Sequence, residues 1–414
     1  MNRLLPPLTL AFVAATFAAG LLLDASGERL GTPLPPLLFD VHARAVLGWA
    51  LLAGALLAAG VALAPRLLGL RPAAFAGAVL GLALVLRLAV GAVRGGPEEW
   101  DEPFDASFEA KNEYLPALPA LRHGTGFFLD RFAELVPALP VHAAGHPPGL
   151  LLVLHWLGLD TPAGAAAMLI GVGVLAVPLT YVLARRVLED EDRARVAGLL
   201  AAFAPATTLY GVTSADAAYA TLGVGAAILL LARPLAGAVA LAVASFFSYA
   251  LPAIGAWAAI VRLRDGWRPA ASLAALSAVA LVAFYAALYA LTGFELPAVL
   301  EATEDHYRNS VARLRPYAFW VFGSVAAFLA FLGLPIAWYA AATRHPAAAA
   351  LAVVIVVSAA GGFTKGETER IWLMYVPLAC VAAAAVLPPR RLVLVLGLLA
   401  AQALAVELIF GTVW

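Results

Sequence analysis

Long apolar runs occupy most of the chain and limit what it can fold into. A helix needs about 20 mostly apolar residues to cross a bilayer. Apolar residues make up 63% of the 414 residues and charged residues 13%, against roughly 45–50% and about 25% in soluble proteins. The chain is therefore expected to be an all-α, polytopic membrane protein. About thirteen spans are predicted, at residues 7–23, 44–64, 73–93, 163–184, 194–212, 216–232, 235–249, 251–263, 270–292, 317–342, 347–362, 371–388 and 392–410.

The arginines predict the orientation of these spans, because cytoplasmic loops of membrane proteins carry an excess of Lys and Arg. With the N-terminus inside, the long loops 94–145, 293–316 and 363–370 lie outside. The expected location is the cytoplasmic membrane, with the active site on its outer face. The 26 basic and 26 acidic residues cancel, so nucleic acid is not an expected partner. Arginines then fall in every short inner loop, at Arg66, Arg71, Arg185, Arg186, Arg193, Arg195, Arg233, Arg262, Arg264, Arg268, Arg344, Arg390 and Arg391.

Three outer segments are expected to form juxtamembrane helices. Residues 146–159 are apolar but number only 14, too few for a span, and are expected to lie at the outer interface. Residues 104–122 and 127–139 have apolar positions at near-helical spacing. That spacing predicts amphipathic helices on the membrane surface.

The outer loop 94–145 is the largest polar feature, with nine acidic and four basic side chains. It contains Asp101-Glu102 and, further on, Glu113 followed by Tyr114. A carboxylate here can take a proton from a hydroxyl group or bind a divalent cation. For any single acid a solvated loop residue is the alternative, but the number of acids favours at least one functional residue.

Two more polar features stand at expected helix starts on the outer side. His146 opens the sequence His-Pro-Pro-Gly, in which the prolines suit a first helical turn. A structural role for this motif is the alternative to a role of His146 at the site. Asp216 follows Ser214 at the outer end of a span. Asp216 is either a helix cap or a second carboxylate that faces the first.

The outer loop near the C-terminus carries Lys365, Glu369 and Arg370. Arg can hold a phosphate through two parallel hydrogen bonds, whereas Lys acts as a point charge. Solvation and snorkelling to the membrane surface are the alternative. His306 and Arg308, in the preceding outer loop, are weaker candidates of the same kind. The chain has no Walker loop, GxSxG motif or Cys/His metal cluster.

Four motifs in chain order resemble those of one membrane enzyme family. They are Asp101-Glu102 or Asn112-Glu113; His146-Pro147-Pro148-Gly149-Leu150; Arg185-Arg186 followed by Ala204-Pro205, Tyr210 and Asp216; and the segment Ala244 to Pro252. This pattern is similar to the polyprenyl-phosphate-dependent glycosyltransferases of the membrane C fold (GT-C). That family includes protein O-mannosyltransferases, lipid A aminoarabinose transferases, and actinobacterial arabinofuranosyltransferases and mannosyltransferases.

The resemblance implies a sugar donor linked to a polyprenyl phosphate, and an acceptor hydroxyl on a glycan, lipid or protein. It implies Glu113, or Asp101 with Glu102, as the catalytic base and Asp216 as a second acid. A divalent cation, Mg²⁺ or Mn²⁺, is left open, with Asp101 and Asp216 as its ligands. The substrate-binding residues implied are His146, Lys365, Glu369, Arg370, Tyr114, His306 and Arg308.

The same resemblance divides the chain into three parts. Residues 1–72 are additional N-terminal spans, 73–265 form the GT-C-like core, and 266–414 are C-terminal spans. A transporter or flippase for a lipid-linked or small polar substrate is the alternative, since broken helices are typical of transporters. The short predicted spans 235–249 and 251–263 are its best support.

Overall fold

The computed structural model describes residues 3–39, 41, 45–105 and 109–412, and within them the chain is 78% helical without a β-strand. The helices of the first half are α1 Leu5–Ala25, α2 Leu47–Leu67, α3 Pro72–Gly91, α4 Thr125–Asp130, α5 Phe132–Leu135, α6 Val141–Gly145, α7 Gly149–Trp156, α8 Pro162–Gly173, α9 Ala176–Leu188, α10 Glu191–Phe203 and α11 Pro205–Leu209. Those of the second half are α12 Ala215–Ala232, α13 Pro234–Ser245, α14 Pro252–Arg262, α15 Trp267–Thr292, α16 Leu296–Asn309, α17 Tyr317–Leu332, α18 Leu334–Ala342, α19 Pro346–Gly361, α20 Thr368–Ile371, α21 Val376–Ala384 and α22 Leu392–Ile409. Short 3₁₀ turns lie at Pro97–Trp100, Glu102–Phe104, Ala110–Asn112, Leu115–His123, Val136–Ala138, Leu263–Asp265, Val311–Leu314, Leu373–Tyr375 and Pro389–Arg391.

By length and composition, seven helices in the described residues can cross a membrane, or eight if the bent pair α17–α18 counts as one span. Three shorter apolar helices, Pro234–Ser245, Pro346–Gly361 and Leu373–Ala384, fall below that length. The chain is thus an all-α protein with several membrane-spanning helices. The expected number of thirteen spans stays a prediction. The seven are Leu5–Ala25, Leu47–Leu67, Pro72–Gly91, Pro162–Leu188, Ala215–Ala232, Trp267–Thr292 and Pro389–Ile409.

The predicted span 317–342 is wrong as a single helix, because α17 and α18 meet at an angle of 105°. The break lies at Gly333, whose φ of +101° favours glycine. Gln402 on α22 satisfies the freed backbone groups: its side-chain N–H donates to the Ala330 carbonyl at 2.6 Å, and Leu334 N–H donates to its side-chain oxygen at 3.2 Å. Lipid offers no such partners, so the break depends on this side chain.

The acidic outer loop also differs from expectation. The continuous amphipathic helices predicted for 104–122 and 127–139 are replaced by 3₁₀ turns and by α4 and α5. Prolines within both stretches remove backbone donors and interrupt a helix. Phe128 and Phe132 are fully buried and pack edge to face at 5.3 Å, so their part of the loop packs into the protein core.

The apolar segment 146–159 forms α7, which has eight residues. At 1.5 Å per residue a helix of this length spans about 12 Å, too little to cross a bilayer. Gly149 N–H donates to the Phe246 carbonyl at 3.0 Å. A Cβ on Gly149 would lie 2.4 Å from that oxygen, so only glycine allows α7 to start this close to the end of α13.

The predicted outer loops contact one another, and so do the predicted inner loops. On the outer set, Tyr307 Oη accepts from Lys365 N–H at 2.7 Å and Thr303 donates to the Ala144 carbonyl at 3.2 Å. On the inner set, Arg264 donates to the Val187 carbonyl at 2.8 Å. The loops therefore form two faces, as the topology requires, while the assignment of the outside to one of them stays a prediction.

Candidate functional site

A buried arginine, Arg370, joins two carboxylates on the predicted outer face. Its guanidinium lies 2.8 Å from Asp216 Oδ2 and 3.2 Å from Glu367 Oε2. The arginine and Asp216 are 4% and 3% exposed. Buried ion pairs need such multiple hydrogen bonds to offset the loss of water.

The turn that presents Arg370 is held by backbone conformation and by α17. Gly366 and Glu367 have φ of +84° and +59°. A left-handed conformation is uncommon for a residue such as Glu367 and persists only where its surroundings enforce it. Ser324 supplies part of this restraint. Its hydroxyl accepts from Gly366 N–H at 3.3 Å, and its backbone carbonyl accepts from the Thr368 hydroxyl at 2.6 Å.

Asp216 is positioned by the start of α12. Ser214 is the N-cap, and its hydroxyl accepts from Asp216 N–H at 3.1 Å. The same hydroxyl lies 3.2 Å from Asp216 Oδ2. Ser214 is therefore the cap of this helix, while a role of Asp216 as a second carboxylate of the site stays a prediction.

Glu113 reaches the same place through His142. Its Oε1 lies 2.9 Å from His142 Nδ1, and His142 Nε2 lies 3.5 Å from Arg370 Nη2. Glu113 is 4% exposed. A continuous chain of polar contacts thus links the first large outer loop to the last one. We call Glu113, His142, Asp216, Glu367 and Arg370 the ion network.

Arg315 extends the ion network toward the loop 293–316. It lies 2.8 Å from Glu367 Oε1 and donates to the Lys365 carbonyl at 2.6 Å. Lys365 itself points to the Ala312 carbonyl, to which its ammonium donates at 2.8 Å. Arg315 and Lys365 therefore bind the two C-terminal outer loops to each other.

The charges of the ion network perturb its titratable groups. Burial alone would raise the pKa of Glu367, but the guanidinium groups of Arg315 and Arg370 lower it to about 2. Burial disfavours a charged His142, yet the Glu113 carboxylate outweighs it and raises the pKa of that imidazole. These shifts keep the Glu367 carboxylate ionised and favour the charged form of His142 beyond what burial alone would allow.

Glu369 is buried next to the network without a strong cationic partner. Burial raises the pKa of Glu369 to about 7, and the charge of Glu367 acts in the same direction. Its Oε2 atom has no hydrogen-bond partner among the described residues. This carboxyl therefore changes charge close to neutral pH.

Tyr114 and His146 form a neutral chain beside the ion network. The Tyr114 hydroxyl lies 2.9 Å from the Tyr219 hydroxyl and 3.1 Å from His146 Nδ1. Burial lowers the pKa of His146, which favours the neutral imidazole at pH 7. Tyr219 stands one turn after Asp216 on α12, so this chain and the network share a helix.

The other predicted acids lie in a separate group. Glu102 hydrogen-bonds to Glu99, and burial together with Glu102 raises the pKa of Glu99 to about 7. Arg94, which also interacts with Glu99, pairs with Glu407 at 2.6 Å. Within the described part of the chain, neither Asp101 nor Glu102 has a bond to the ion network.

The predicted cations near α16 differ in their surroundings. Arg308 is exposed and pairs with Glu304 one turn away on the same helix. His306 is half-buried, and its Nε2 has no hydrogen-bond partner in the described residues. Of the predicted site residues, the structure brings together Glu113, Asp216 and Arg370, with Tyr114 and His146 adjacent.

The sequence reasoning did not select His142 or Glu367. His142 precedes His146 by four residues, the spacing that places two side chains on one helical face. Glu367 lies in the same charged loop as Lys365, Glu369 and Arg370, but its partner Arg315 comes from a different loop, 52 positions earlier. Both residues belong to the site because of contacts between loops, and no sequence motif marks them.

An apolar cavity of about 750 Å³ opens between the ends of α13 and α14 and the helices α15 and α16. Its lining is largely aliphatic and aromatic, and its polar members are Ser245, Glu295 and three tyrosines, Tyr249, Tyr285 and Tyr289. Tyr285 Oη accepts from the Ser245 hydroxyl at 3.1 Å. Leu296 and Leu300 of α16 form one wall. The cavity suits an apolar chain better than a polar solute.

The predicted divalent cation finds no matching donor set in the described residues. No group of three or more His, Cys, Asp or Glu side chains is arranged to hold a metal ion there. Asp216 is engaged by Arg370, and Asp101 lies outside the ion network. No step below is therefore assigned to a metal.

Comparisons with protein-family models, with curated proteins and with solved structures each find no match to this chain.

Proposed function

We propose that the protein is a membrane glycosyltransferase that moves a sugar from a polyprenyl phosphate to an acceptor hydroxyl at the outer membrane surface. The observation that carries the proposal is the convergence of three distant outer segments on the ion network. Glu113, Asp216 and Arg370 come from the three segments that the sequence analysis selected for this chemistry. A buried, hydrogen-bonded set of opposite charges is costly to assemble, which argues for a role beyond solubility.

Glu113 is the proposed catalytic base. In the transfer, the acceptor oxygen forms a bond to the anomeric carbon while the bond from that carbon to the phosphate oxygen breaks. The acceptor proton passes to the Glu113 carboxylate, and the polyprenyl phosphate leaves with the electron pair. His142 fixes the orientation of that carboxylate at 2.9 Å, which supports general-base catalysis by placement.

Asp216 and Arg370 are assigned to the acceptor side of the site. Arg370 already holds two carboxylates, so we assign the donor phosphate to the less buried Lys365 and Arg308. These cations stabilise the departing anion as its charge develops. His146 and Tyr114, held as a neutral pair, offer uncharged hydrogen-bonding groups for sugar hydroxyls.

The apolar cavity is the proposed place of the isoprenoid chain. Leu296, Leu300, Thr303 and Tyr307 recur at spacings of three and four and therefore share one face of α16. The first two line the cavity, and Tyr307 contacts the Lys365 backbone. The helix α16 thus runs from the apolar cavity to the loop that carries Lys365. A lipid with an apolar chain and a phosphate group needs an apolar cavity next to a cation.

Sugar transfer by Glu113→Gln tests the proposal. Purified full-length protein in nanodiscs is incubated with radiolabelled polyprenyl-phosphate mannose or arabinose and a short alkyl glycoside. We expect transfer by the wild type and a loss of about 100-fold or more in Glu113→Gln, since general-base catalysis contributes roughly 10²–10⁴-fold. Glu134→Gln is the matched control, because Glu134 lies exposed in the same loop and pairs only with Arg131.

An unfolding temperature measured on each variant separates loss of chemistry from loss of fold. Near-normal transfer by a folded Glu113→Gln would contradict the assignment of the base. Saturable binding of the donor without turnover by the wild type would favour the transporter or flippase. The bent pair α17–α18 is the feature shared with transporters, but its free backbone groups bond to Gln402.

A further inference from the structure

A second large cavity lies on the opposite face of the protein from the ion network. It measures about 810 Å³ and is bordered by the C-terminal ends of α9, α12 and α14 and by the start of α15. Asp216 stands in the first turn of α12, and Leu231, near the end of that helix, borders the cavity. At 1.5 Å per residue the two positions are roughly 22 Å apart.

Four arginines and two acids provide the charged lining. They are Arg185, Arg186, Arg262, Arg264, Glu189 and Asp265. Their formal sum is 4 − 2 = +2. The cavity therefore favours an anion, even though both carboxylates oppose it locally.

Three of the four arginines form contacts within the protein, so part of the positive charge at the cavity has a structural role. Arg262 donates to the Leu231 carbonyl at 2.8 Å and pairs with Asp265. Arg264 likewise caps the end of α9 and pairs with Glu189 at 3.3 Å. Capping of helix ends by arginine is ordinary and needs no ligand.

Arg186 is the exception. It is exposed at the cavity, and no ion pair or hydrogen bond of its side chain occurs among the described residues. Arg185 lies next to it, half exposed, and shares Glu191 with Arg195. An unpaired guanidinium beside a partly satisfied one leaves several N–H donors available to a ligand, and phosphate matches the fork geometry of arginine.

The start of α15 indicates that the membrane surface is expected close to this cavity. Trp267, 70% exposed, starts the long apolar helix α15, and the Arg268 guanidinium stands 5.5 Å from its ring centre. Tryptophan is enriched where a membrane helix meets the headgroups. Pro269, two residues further, lines the cavity.

We propose that this cavity binds a phosphate-bearing anion at the membrane surface, through Arg186 and Arg185. The phosphate is carried by an anionic phospholipid headgroup or is free in solution. Basic cavities between membrane helices are suited to such headgroups. This inference is independent of the glycosyltransferase proposal.

Binding of phosphatidylglycerol to the purified full-length protein in detergent tests the proposal, with native mass spectrometry as the readout. We expect the wild type to retain phosphatidylglycerol and not phosphatidylcholine. Arg186→Gln is expected to bind roughly fivefold more weakly, the factor that corresponds to about 1 kcal/mol for one basic residue near an anionic surface. Because Arg186 supports no described contact, this variant should fold normally.

Arg390→Gln is the matched control, since Arg390 is also exposed on the predicted inner side but does not line the cavity. It should bind as the wild type does. Competition by inorganic phosphate at constant ionic strength would identify free phosphate as sufficient, and its absence would identify the lipid headgroup; both results support the site. Equal binding by Arg186→Gln and the control, or equal retention of phosphatidylcholine, would overturn it.

Discussion

Arg370 illustrates how much one residue can hold together in a low-dielectric site. It bonds to Asp216 and Glu367 and lies beside His142. Removal of one member of a buried ion pair leaves an uncompensated charge and costs about 3–5 kcal/mol. Arg370 therefore has a structural role, in addition to the role in the site that we propose.

The variant Arg370→Gln is expected to lower the free energy of unfolding by about 3–5 kcal/mol for this reason. Denaturant unfolding in detergent micelles, followed by tryptophan fluorescence, measures the change. Arg131→Gln, which removes an exposed pair with Glu134, should leave the unfolding midpoint unchanged. An Arg370 variant as stable as this control would show that the burial of the Asp216 and Glu367 carboxylates does not require the arginine.

Glu369 makes stability depend on pH. The folded protein raises the pKa of Glu369 from 4.5 to about 7, so it binds a proton that the unfolded chain releases. Stability is then lost as pH rises from about 4.5 to 7, by about 3 kcal/mol in all. Glu369→Gln imitates the protonated form and should unfold at a higher temperature than the wild type at pH 8.

The gain from Glu369→Gln should disappear at acidic pH, because the wild-type carboxyl is then protonated as well. Thermal unfolding of both proteins at pH 8 and pH 4.5 measures the difference. An equal difference at the two pH values would mean that Glu369 keeps its ordinary pKa.

Sequence reasoning found some of these residues and missed others for physical reasons. Glu113 and Asp216 stood out because each belongs to one of the motifs that resemble the membrane enzyme family. Asp101 lies apart because the indole of Trp100 donates to the Leu88 carbonyl at 3.0 Å and ties this segment to α3. No local pattern encodes a pair such as Arg94 and Glu407, which is 313 positions apart. The catalytic roles stay predictions.

At the scale of elements, hydropathy located the apolar segments but not their breaks. The breaks at Gly333 and before Pro205 follow from glycine and proline, which are visible in the sequence. The angle of 105° between α17 and α18 is not visible in the sequence, since it depends on hydrogen bonds to a side chain of α22. Gln402 is the only glutamine in the chain, and nothing local distinguishes it.

Gln402→Leu should destabilise the bent pair. The substitution leaves the Leu334 N–H without its partner and leaves the Ala330 carbonyl with only the Gly333 N–H, at a cost of about 1–2 kcal/mol. Unfolding in detergent measures the loss. Gly397→Ala, on the same helix with open space around it, should be neutral; a neutral Gln402→Leu would show that the break needs no such support.

At the scale of the whole molecule, the two faces predict which positions are reachable from outside. Single cysteines are introduced at the exposed residues Glu134, Arg308 and Asp192. Cys380 is fully buried and should not react. A membrane-impermeant maleimide should label Glu134→Cys and Arg308→Cys in intact cells, and Asp192→Cys only after permeabilisation. Labelling of Asp192→Cys alone in intact cells would reverse the orientation.

The helix α15, which forms a wall of the apolar cavity, has 26 residues and only three buried side chains. At 1.5 Å per residue it is about 39 Å long, longer than a hydrocarbon layer of about 30 Å. Such a helix tilts to match the bilayer, and its tilt changes with lipid thickness. Because one side of α15 packs against α13 and α14 while few of its side chains are fully buried, acyl-chain length in the surrounding lipid should change the tilt of α15 and with it the width of the cavity. Bilayer thickness should then influence the entry of the long-chain donor that we propose.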